Sequence, residues 1–174
     1  GTVQAYVDPN DAQFRNIGIQ MGMPGGSLVN EVPKVTTEIS SWPATAVFMP
    51  NPHAVVVVDD TSSIGSLADQ PHLAPRDVFP NGANVEFIQR IADNHIRMRT
   101  FERGVGETLS CGSGACAAAS VWATRNSLPA GWTVQVDVLG GTVFVDSDPD
   151  GSLTLRGPAD FVATGALIGD QWLI

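Results

Sequence analysis

Cysteine, histidine and basic side chains are scarce in this chain of 174 residues, and each scarcity argues against a class of protein. The 2 cysteines and 3 histidines are not spaced as zinc ligands are, so we predict no metal site. Only 9 lysine and arginine residues stand against 18 acidic ones, and the net charge of −9 argues against nucleic acid as a partner. No apolar run is long enough to span a bilayer, so we expect no membrane partner.

The chain itself is long enough to bury a core without disulfides or a metal, since 43% of its residues are hydrophobic. We therefore predict one domain over residues 1–174. Cys111 and Cys116 are five residues apart across a predicted helix start, and five helical steps turn the second thiol by about 140° and carry it about 7.5 Å along the axis. A disulfide is therefore not expected. Reduced thiols indicate a cytoplasmic protein, with Cys116 packed in the core.

Short segments of strand character dominate the chain and are separated by Gly, Pro, Asn and Asp. The predicted strands are 2–7, 14–21, 45–48, 54–58, 84–91, 95–101, 133–138, 142–146, 152–155 and 161–167. One main helix is predicted over 113–125, and a short peripheral helix over 62–67. The main helix carries small, apolar side chains on nearly every side, which is typical of a helix surrounded by other elements. We predict an α+β fold in which a strongly curved, mostly antiparallel sheet, a half-barrel, wraps around one central helix.

The most informative segment is the turn that leads into this helix, because it places a thiol at the helix start. Cys111 precedes an alanine-rich run and is followed by Gly112, Ser113 and Gly114. Unpaired N–H groups and the positive end of the helix dipole favour a thiolate at this position. The glycines let a ligand oxygen approach the backbone, so Gly112 and Ser113 are predicted to bind a substrate carboxylate. The alternative is that Cys111 is a small buried apolar residue in a tight turn.

Three ordered motifs resemble a known family. The segments ERGVGET (102–108) and SCGSGA (110–115) together resemble the second cysteine motif of the diaminopimelate epimerases, which are amino-acid epimerases independent of pyridoxal phosphate. MPNPHAV (49–55) is similar to that family's Gly-Asn-Pro-His turn, and FPNGANVEF (79–87) to its Phe-Pro-x-Gly-x-Asn-Val segment. The resemblance also implies the half-barrel fold.

The family is about twice as long as this chain and has two similar halves, each with one catalytic cysteine. The resemblance implies that this chain is the C-terminal half alone and that the N-terminal half is a missing partner. The isolated chain is then expected to be inactive. It is also expected to form a concentration-dependent homodimer, because a separated half exposes apolar surface that its partner normally covers.

The resemblance also implies roles for individual residues. Glu102 and Arg103 would contact the charged ends of the substrate, with the planar guanidinium suited to a carboxylate. Asn51 and Asn84 would donate hydrogen bonds to or accept them from the distal amino-acid group of the substrate. In this chain Pro50 replaces the family's usual glycine, which removes an N–H and restricts the turn that carries Asn51.

The implied reaction interconverts L,L- and meso-diaminopimelate by proton transfer between two cysteines, without a cofactor. Cys111 would be one of the two acid–base groups, and His53, together with Glu102, would adjust its ionisation. This reaction would belong to lysine and peptidoglycan-precursor biosynthesis. The alternatives are a related proline-racemase-type enzyme, a cysteine hydrolase that uses His53 as its base, and a non-catalytic binding module.

Overall fold

A computed structural model describes residues 4–7, 10, 16–26, 32–168 and 171–173. The strands within these residues are β1 (Ala5–Val7), β2 (Ile17–Gly22), β3 (Gly25–Gly26), β4 (Lys34–Thr36), β5 (Ser41–Pro43), β6 (Thr45–Phe48), β7 (Pro52–Val58), β8 (His72–Ala74), β9 (Asn84–Ala92), β10 (His95–Glu102), β11 (Gly106–Thr108), β12 (Thr133–Val138), β13 (Gly141–Ser147), β14 (Leu153–Gly157), β15 (Ala166–Ile168) and β16 (Gln171–Leu173). One α-helix, α1, spans Gly112–Arg125, and a 3₁₀ helix spans Thr61–Ile64.

One sheet of eleven strands forms the frame of the protein. Its order is β1-β2-β14-β13-β12-β10-β9-β7-β6-β3, and β11 pairs with β10. Neighbouring strands are antiparallel except for the pairs β7–β9 and β10–β12, which are parallel. Among the described strands, β1 and β3 end the sheet without pairing to each other, so it stays an open half-barrel. Two smaller sheets, β5-β4-β8 and β15-β16, complete the described structure.

Helix α1 lies inside the curve of the large sheet. It contacts β6, β7, β9, β10, β12, β13 and β14, which are seven consecutive strands in the order of the sheet. Every residue from Gly114 to Ala119 is buried, because the small side chains of this run let strands approach the helix from several directions. The predicted central helix is confirmed. No helix in the described part of the chain has the length and apolar character needed to cross a membrane.

The two faces of the sheet bury separate apolar clusters. On β9, Ile88 belongs to the cluster around α1, whereas Val85 and Phe87 belong to the cluster on the opposite face. Trp42 packs edge-on against Phe87 in this second cluster, with 5.5 Å between ring centroids. Side chains alternate between faces along a strand, so Asn84 and Glu86 lie on the same face as Ile88, toward the helix.

Most predicted strands are confirmed, and 45–48 and 133–138 have the predicted bounds. The predicted strand 161–167 is wrong for 161–165, where Phe161 and Val162 are exposed and form no strand. The predicted helix over 62–67 is a 3₁₀ turn over Thr61–Ile64, started by the Asp60 side chain, which accepts from the Ser62 N–H at 2.8 Å. Residues 2, 3, 14 and 15 of two predicted strands lie outside the described residues.

Candidate active site

Cys111 is the N-cap of α1, as the sequence predicts. Its backbone is extended (φ −127°, ψ 110°), and its carbonyl accepts the N–H of Ala115 at 2.8 Å, which starts the helix. The thiol sulfur accepts the N–H of Gly114 at 3.4 Å and lies 3.7 Å from the Ser113 hydroxyl. The side-chain amide of Asn84 donates toward the same sulfur at 3.9 Å. The thiol is therefore surrounded by donors although only 5% of the residue is exposed.

The expectation that the helix start favours a thiolate is not supported in this structure. Burial raises the pKa of the Cys111 thiol, and the hydrogen bonds from Ser113 and Gly114 oppose this rise without cancelling it. The negative charges of Glu86 and Glu102 raise the pKa further. Cys111 is therefore a thiol near neutral pH. Burial also raises the pKa of Cys116, to about 12, and places that residue in the core as predicted.

A patch of polar side chains faces the start of the helix from three neighbouring strands. His53 lies on β7, Asn84 and Glu86 lie on β9, and Thr100 and Glu102 lie on β10. The register pairs His53 with Asn84 and Glu86 with Thr100, and the alternation of each strand points these side chains toward α1. The apolar lining of the sheet thus gives way to polar groups at the end where Cys111 lies.

His53 is held by Glu86, an acid that the sequence analysis did not single out. Its ring is fully buried, with Nδ1 2.7 Å from Glu86 Oε1 and Nε2 3.0 Å from Asn51 Oδ1. Glu102, the other residue expected to adjust the ionisation of Cys111, does not contact His53 in the described structure: its Oε1 accepts the Thr108 hydroxyl at 2.7 Å. Sequence reasoning missed Glu86, although its position two residues after Asn84 in a strand places both on one face.

Asn51 occupies its position despite Pro50. The Met49 N–H donates to the Asn51 carbonyl at 2.9 Å, which closes the turn around Pro50 without an N–H from the proline. The Asn51 side chain is directed at the His53 ring. The proline therefore leaves Asn51 within the polar patch.

The side chain of Arg103 lies at the outer edge of the polar patch rather than against the thiol. Its N–H donates to Asn84 Oδ1 at 2.9 Å, which fixes the amide whose nitrogen faces Cys111. Its guanidinium donates to the Asn81 carbonyl at 2.9 Å, beside an open cavity of about 680 Å³ that Arg76 also lines. The backbone of Arg103 positions Asn84, and its exposed side chain borders this cavity.

The predicted site residues form two connected groups. In one group the Cys111 sulfur contacts both Ser113 and Asn84, and in the other His53 joins Asn51 to Glu86. Gly112 opens the helix between Cys111 and Ser113, and a Cβ at Gly112 would meet Leu155 Cδ2 at 3.0 Å. Both ring nitrogens of His53 face oxygen atoms of other residues, so neither lies free to take the proton of the thiol. This arrangement disfavours a cysteine hydrolase.

Solved structures of other proteins share this fold. A hydroxyproline epimerase from Agrobacterium vitis, solved with trans-4-hydroxy-L-proline, has a TM-score of 0.59 at 14% identity and covers 90% of this chain and 53% of its own. A probable proline racemase from Agrobacterium radiobacter, solved with carbonate, has a TM-score of 0.58 at 18% identity, covering 90% and 54%. These likenesses show the shared fold.

Sequence comparison gives the family. Residues 45–162 match the family described as diaminopimelate epimerase. A diaminopimelate epimerase of Streptomyces coelicolor is 42% identical over 91% of this chain and 56% of its own length, and one from Acinetobacter baumannii is 37% identical over 95% and 62%. The chain belongs to the diaminopimelate epimerase family, and it spans about half to three-fifths of the length of these relatives.

Proposed function

We propose that this chain forms one side of an active site that interconverts L,L- and meso-diaminopimelate. The observation that carries the proposal is the placement of Cys111. Its thiol lies at the N-terminus of the only α-helix in the described residues, with donors from Asn84, Ser113 and Gly114 around it. A group that exchanges a proton with an α-carbon needs this combination of a positioned acid–base atom and nearby donors for the substrate's charge.

The protonation state of Cys111 favours one direction of proton transfer. Burial keeps the pKa of the thiol above its usual range, so near neutral pH Cys111 carries the proton that an α-carbanion would receive. In the reverse direction the sulfur accepts the α-proton, and the Gly114 N–H and the Ser113 hydroxyl stabilise the resulting thiolate. A second acid–base group must act on the opposite face of the α-carbon, and we place it on the other half of the relatives' length.

We propose that the first turn of α1 binds the α-carboxylate of the substrate. In the described structure the N–H groups of Gly112 and Ser113 have no acceptor, and the helix dipole adds a partial positive charge there. Stabilising the carboxylate in this way replaces part of the electron withdrawal that pyridoxal phosphate provides in other enzymes. We therefore propose a reaction that needs no cofactor.

The polar residues around the thiol are proposed to select the substrate. Asn84 is positioned by the Arg103 backbone, and Asn51 lies at the far side of the patch, so the two amides could bind the distal amino-acid group. Glu102 and Arg103 supply opposite charges for the two charged ends of that group. We assign this reaction to lysine and peptidoglycan-precursor biosynthesis, and the family name supports the lysine assignment. The two unpaired thiols fit a cytoplasmic location.

The test is exchange of the α-hydrogen in D₂O, measured by NMR on L,L-diaminopimelate. The chain is measured alone and with the N-terminal half of a relative, since proximity of two acid–base groups is required. We expect negligible exchange alone and restored exchange in the mixture. Cys111→Ala should abolish the restored exchange, whereas Cys116→Ala, the matched control, should retain it.

Two outcomes would contradict the proposal. Rapid exchange by the verified monomer alone would show that no opposite half is needed. Exchange on trans-4-hydroxy-L-proline but not on diaminopimelate would assign the chain to the second candidate, a proline-racemase-type activity, which the fold likeness to the Agrobacterium vitis enzyme favours.

A further inference from the structure

Glu86 is a fully buried acid that the proposed reaction does not yet use. One carboxyl oxygen, Oε1, lies 2.7 Å from His53 Nδ1 and 3.5 Å from the Thr100 hydroxyl. The other oxygen, Oε2, is buried and has no hydrogen-bond partner among the described residues. A carboxyl that served packing alone would have both oxygens paired, because an unpaired buried oxygen destabilises the fold. The exception indicates a role in the site.

Glu86 and the thiol meet at the same turn of the helix. A methyl group placed on Gly114 would come within 2.6 Å of Glu86 Oε1 and 3.1 Å of Cys111 Sγ. The carboxyl and the sulfur therefore flank one small residue, and the glycine leaves room for both. A charge on Glu86 acts directly on Cys111 through this short, buried gap.

The contacts of His53 constrain where protons can lie. Nε2 faces the Asn51 oxygen and must donate to it, so the ring carries a proton there. Nδ1 and Glu86 Oε1 are 2.7 Å apart and need one proton between them, bound to either atom. In both forms the pair has no net charge, and burial disfavours any form with a net charge.

We propose that Glu86 is a positioning residue of the Cys111 site, which shares one proton with His53, so that this buried pair is neutral beside the thiol while it holds the proton and negative once the proton is lost. The inference rests on the proposed function, but its test does not use turnover. The groups that face Glu86 are His53 from β7, Thr100 and Glu102 from β10, and Cys111 from the start of α1. Burial raises the pKa of Glu86 against the hydrogen bond from His53, which agrees with a proton being retained by the pair.

The first test observes the pair in the unmodified chain by NMR, with ¹³C on the Glu86 carboxyl and ¹⁵N on the His53 ring. We expect the ¹³C signal of the carboxyl and the ¹⁵N signals of the ring to change together over the same pH range, because coupled groups titrate as a pair. Glu86→Gln should change the ring signals, and His53→Gln should change the titration of the Glu86 carboxyl. A Glu86 carboxyl that titrates near ~4.3 with no response in the ring would overturn the proposal.

The second test measures alkylation of Cys111 as a function of pH in Glu86→Gln. The variant cannot acquire the negative charge that opposes the thiolate, so its rate relative to the unmodified chain should increase with pH. We expect a ratio near one at low pH that rises to about threefold above neutral pH. Labelling of Cys116 in the same sample reports loosening of the fold.

The control Glu38→Gln makes the same change at an exposed position, where the side chain accepts the Ser66 N–H at 3.3 Å. It should leave the Cys111 rate unchanged at every pH. A ratio for Glu86→Gln that does not depend on pH, or a parallel increase at Cys116, would mean a purely structural role and would overturn the proposal. Both tests can succeed even if diaminopimelate proves to be the wrong substrate.

Discussion

Adding a single methyl group at Gly114 should damage the site, because this glycine lies between the thiol and the buried acid. In Gly114→Ala the new Cβ would lie 2.6 Å from Glu86 Oε1 and 3.1 Å from Cys111 Sγ, and real Cβ atoms do not approach other atoms as closely as 2.6 Å. Glu86 cannot retreat freely, since it is fully buried and hydrogen-bonded to His53. Either the carboxyl or the helix start must move.

The expected change in the free energy of unfolding of Gly114→Ala is the sum of two opposing effects. Overpacking of a buried site costs about 1–3 kcal/mol, while replacing glycine by alanine in a helix gains up to about 1 kcal/mol. The free energy of unfolding should therefore fall by about 1–2 kcal/mol. In a domain of this size, each kcal/mol lowers Tm by roughly 2–4 °C.

Urea or thermal denaturation followed by circular dichroism measures this change. Gly112→Ala is the matched control, because its Cβ would meet only the terminal Cδ2 of Leu155, at 3.0 Å, and Met21 Cε at 3.9 Å. Both are ends of flexible side chains, so we expect a change within about 1 kcal/mol. If Gly114→Ala proves as stable as the unmodified chain, the carboxyl and the thiol are not packed around this turn as described.

Three further outcomes follow from the pKa shifts. Limited alkylation and peptide mapping should label Cys111 before Cys116, because burial raises the pKa of Cys116 to about 12; the reverse order would refute the candidate site. Burial tends to raise the pKa of Asp146, but hydrogen bonds led by the one from Arg156 lower it overall. In urea titrations Asp146→Asn should therefore lower the free energy of unfolding by about 0.5–1 kcal/mol at pH 7 and leave it unchanged below about pH 2. A loss of stability that does not depend on pH would contradict this. Burial raises the pKa of Glu86 in the folded chain. The unmodified chain should therefore lose stability relative to Glu86→Gln as the pH rises from about 4.3, the ordinary pKa of a glutamate, through the pKa of Glu86 in the folded chain. A constant difference in stability would show that Glu86 titrates normally.

The sequence by itself determined the main elements and the position of the thiol. Alternating apolar residues predict β9 and β10, and the alanine run predicts a buried helix, because these patterns depend on local spacing that the printed chain displays. The glycines after Cys111 were enough to place it at the helix start. The ordered motifs were enough to indicate the family, which the comparisons confirmed.

Short strands could not be predicted in the same way. Strands β4, β5, β8 and β11 have only three residues each, too few to show an alternation. They exist because backbone groups of distant segments pair, as β4 does with β8 across more than thirty residues. Their positions depend on tertiary pairing rather than on local sequence.

Only the tertiary structure decided the electrostatics of the site. The parallel pairing of β7 with β9 brings His53 beside Glu86, 33 residues later in the chain, and leaves Glu102 with Thr108. Burial under the sheet opposes the expected shift of the Cys111 pKa, because desolvation of the thiolate raises that pKa more than the hydrogen bonds from Ser113 and Gly114 lower it. Spacing along a chain reveals which groups can lie on one face, whereas desolvation depends on everything that packs around them.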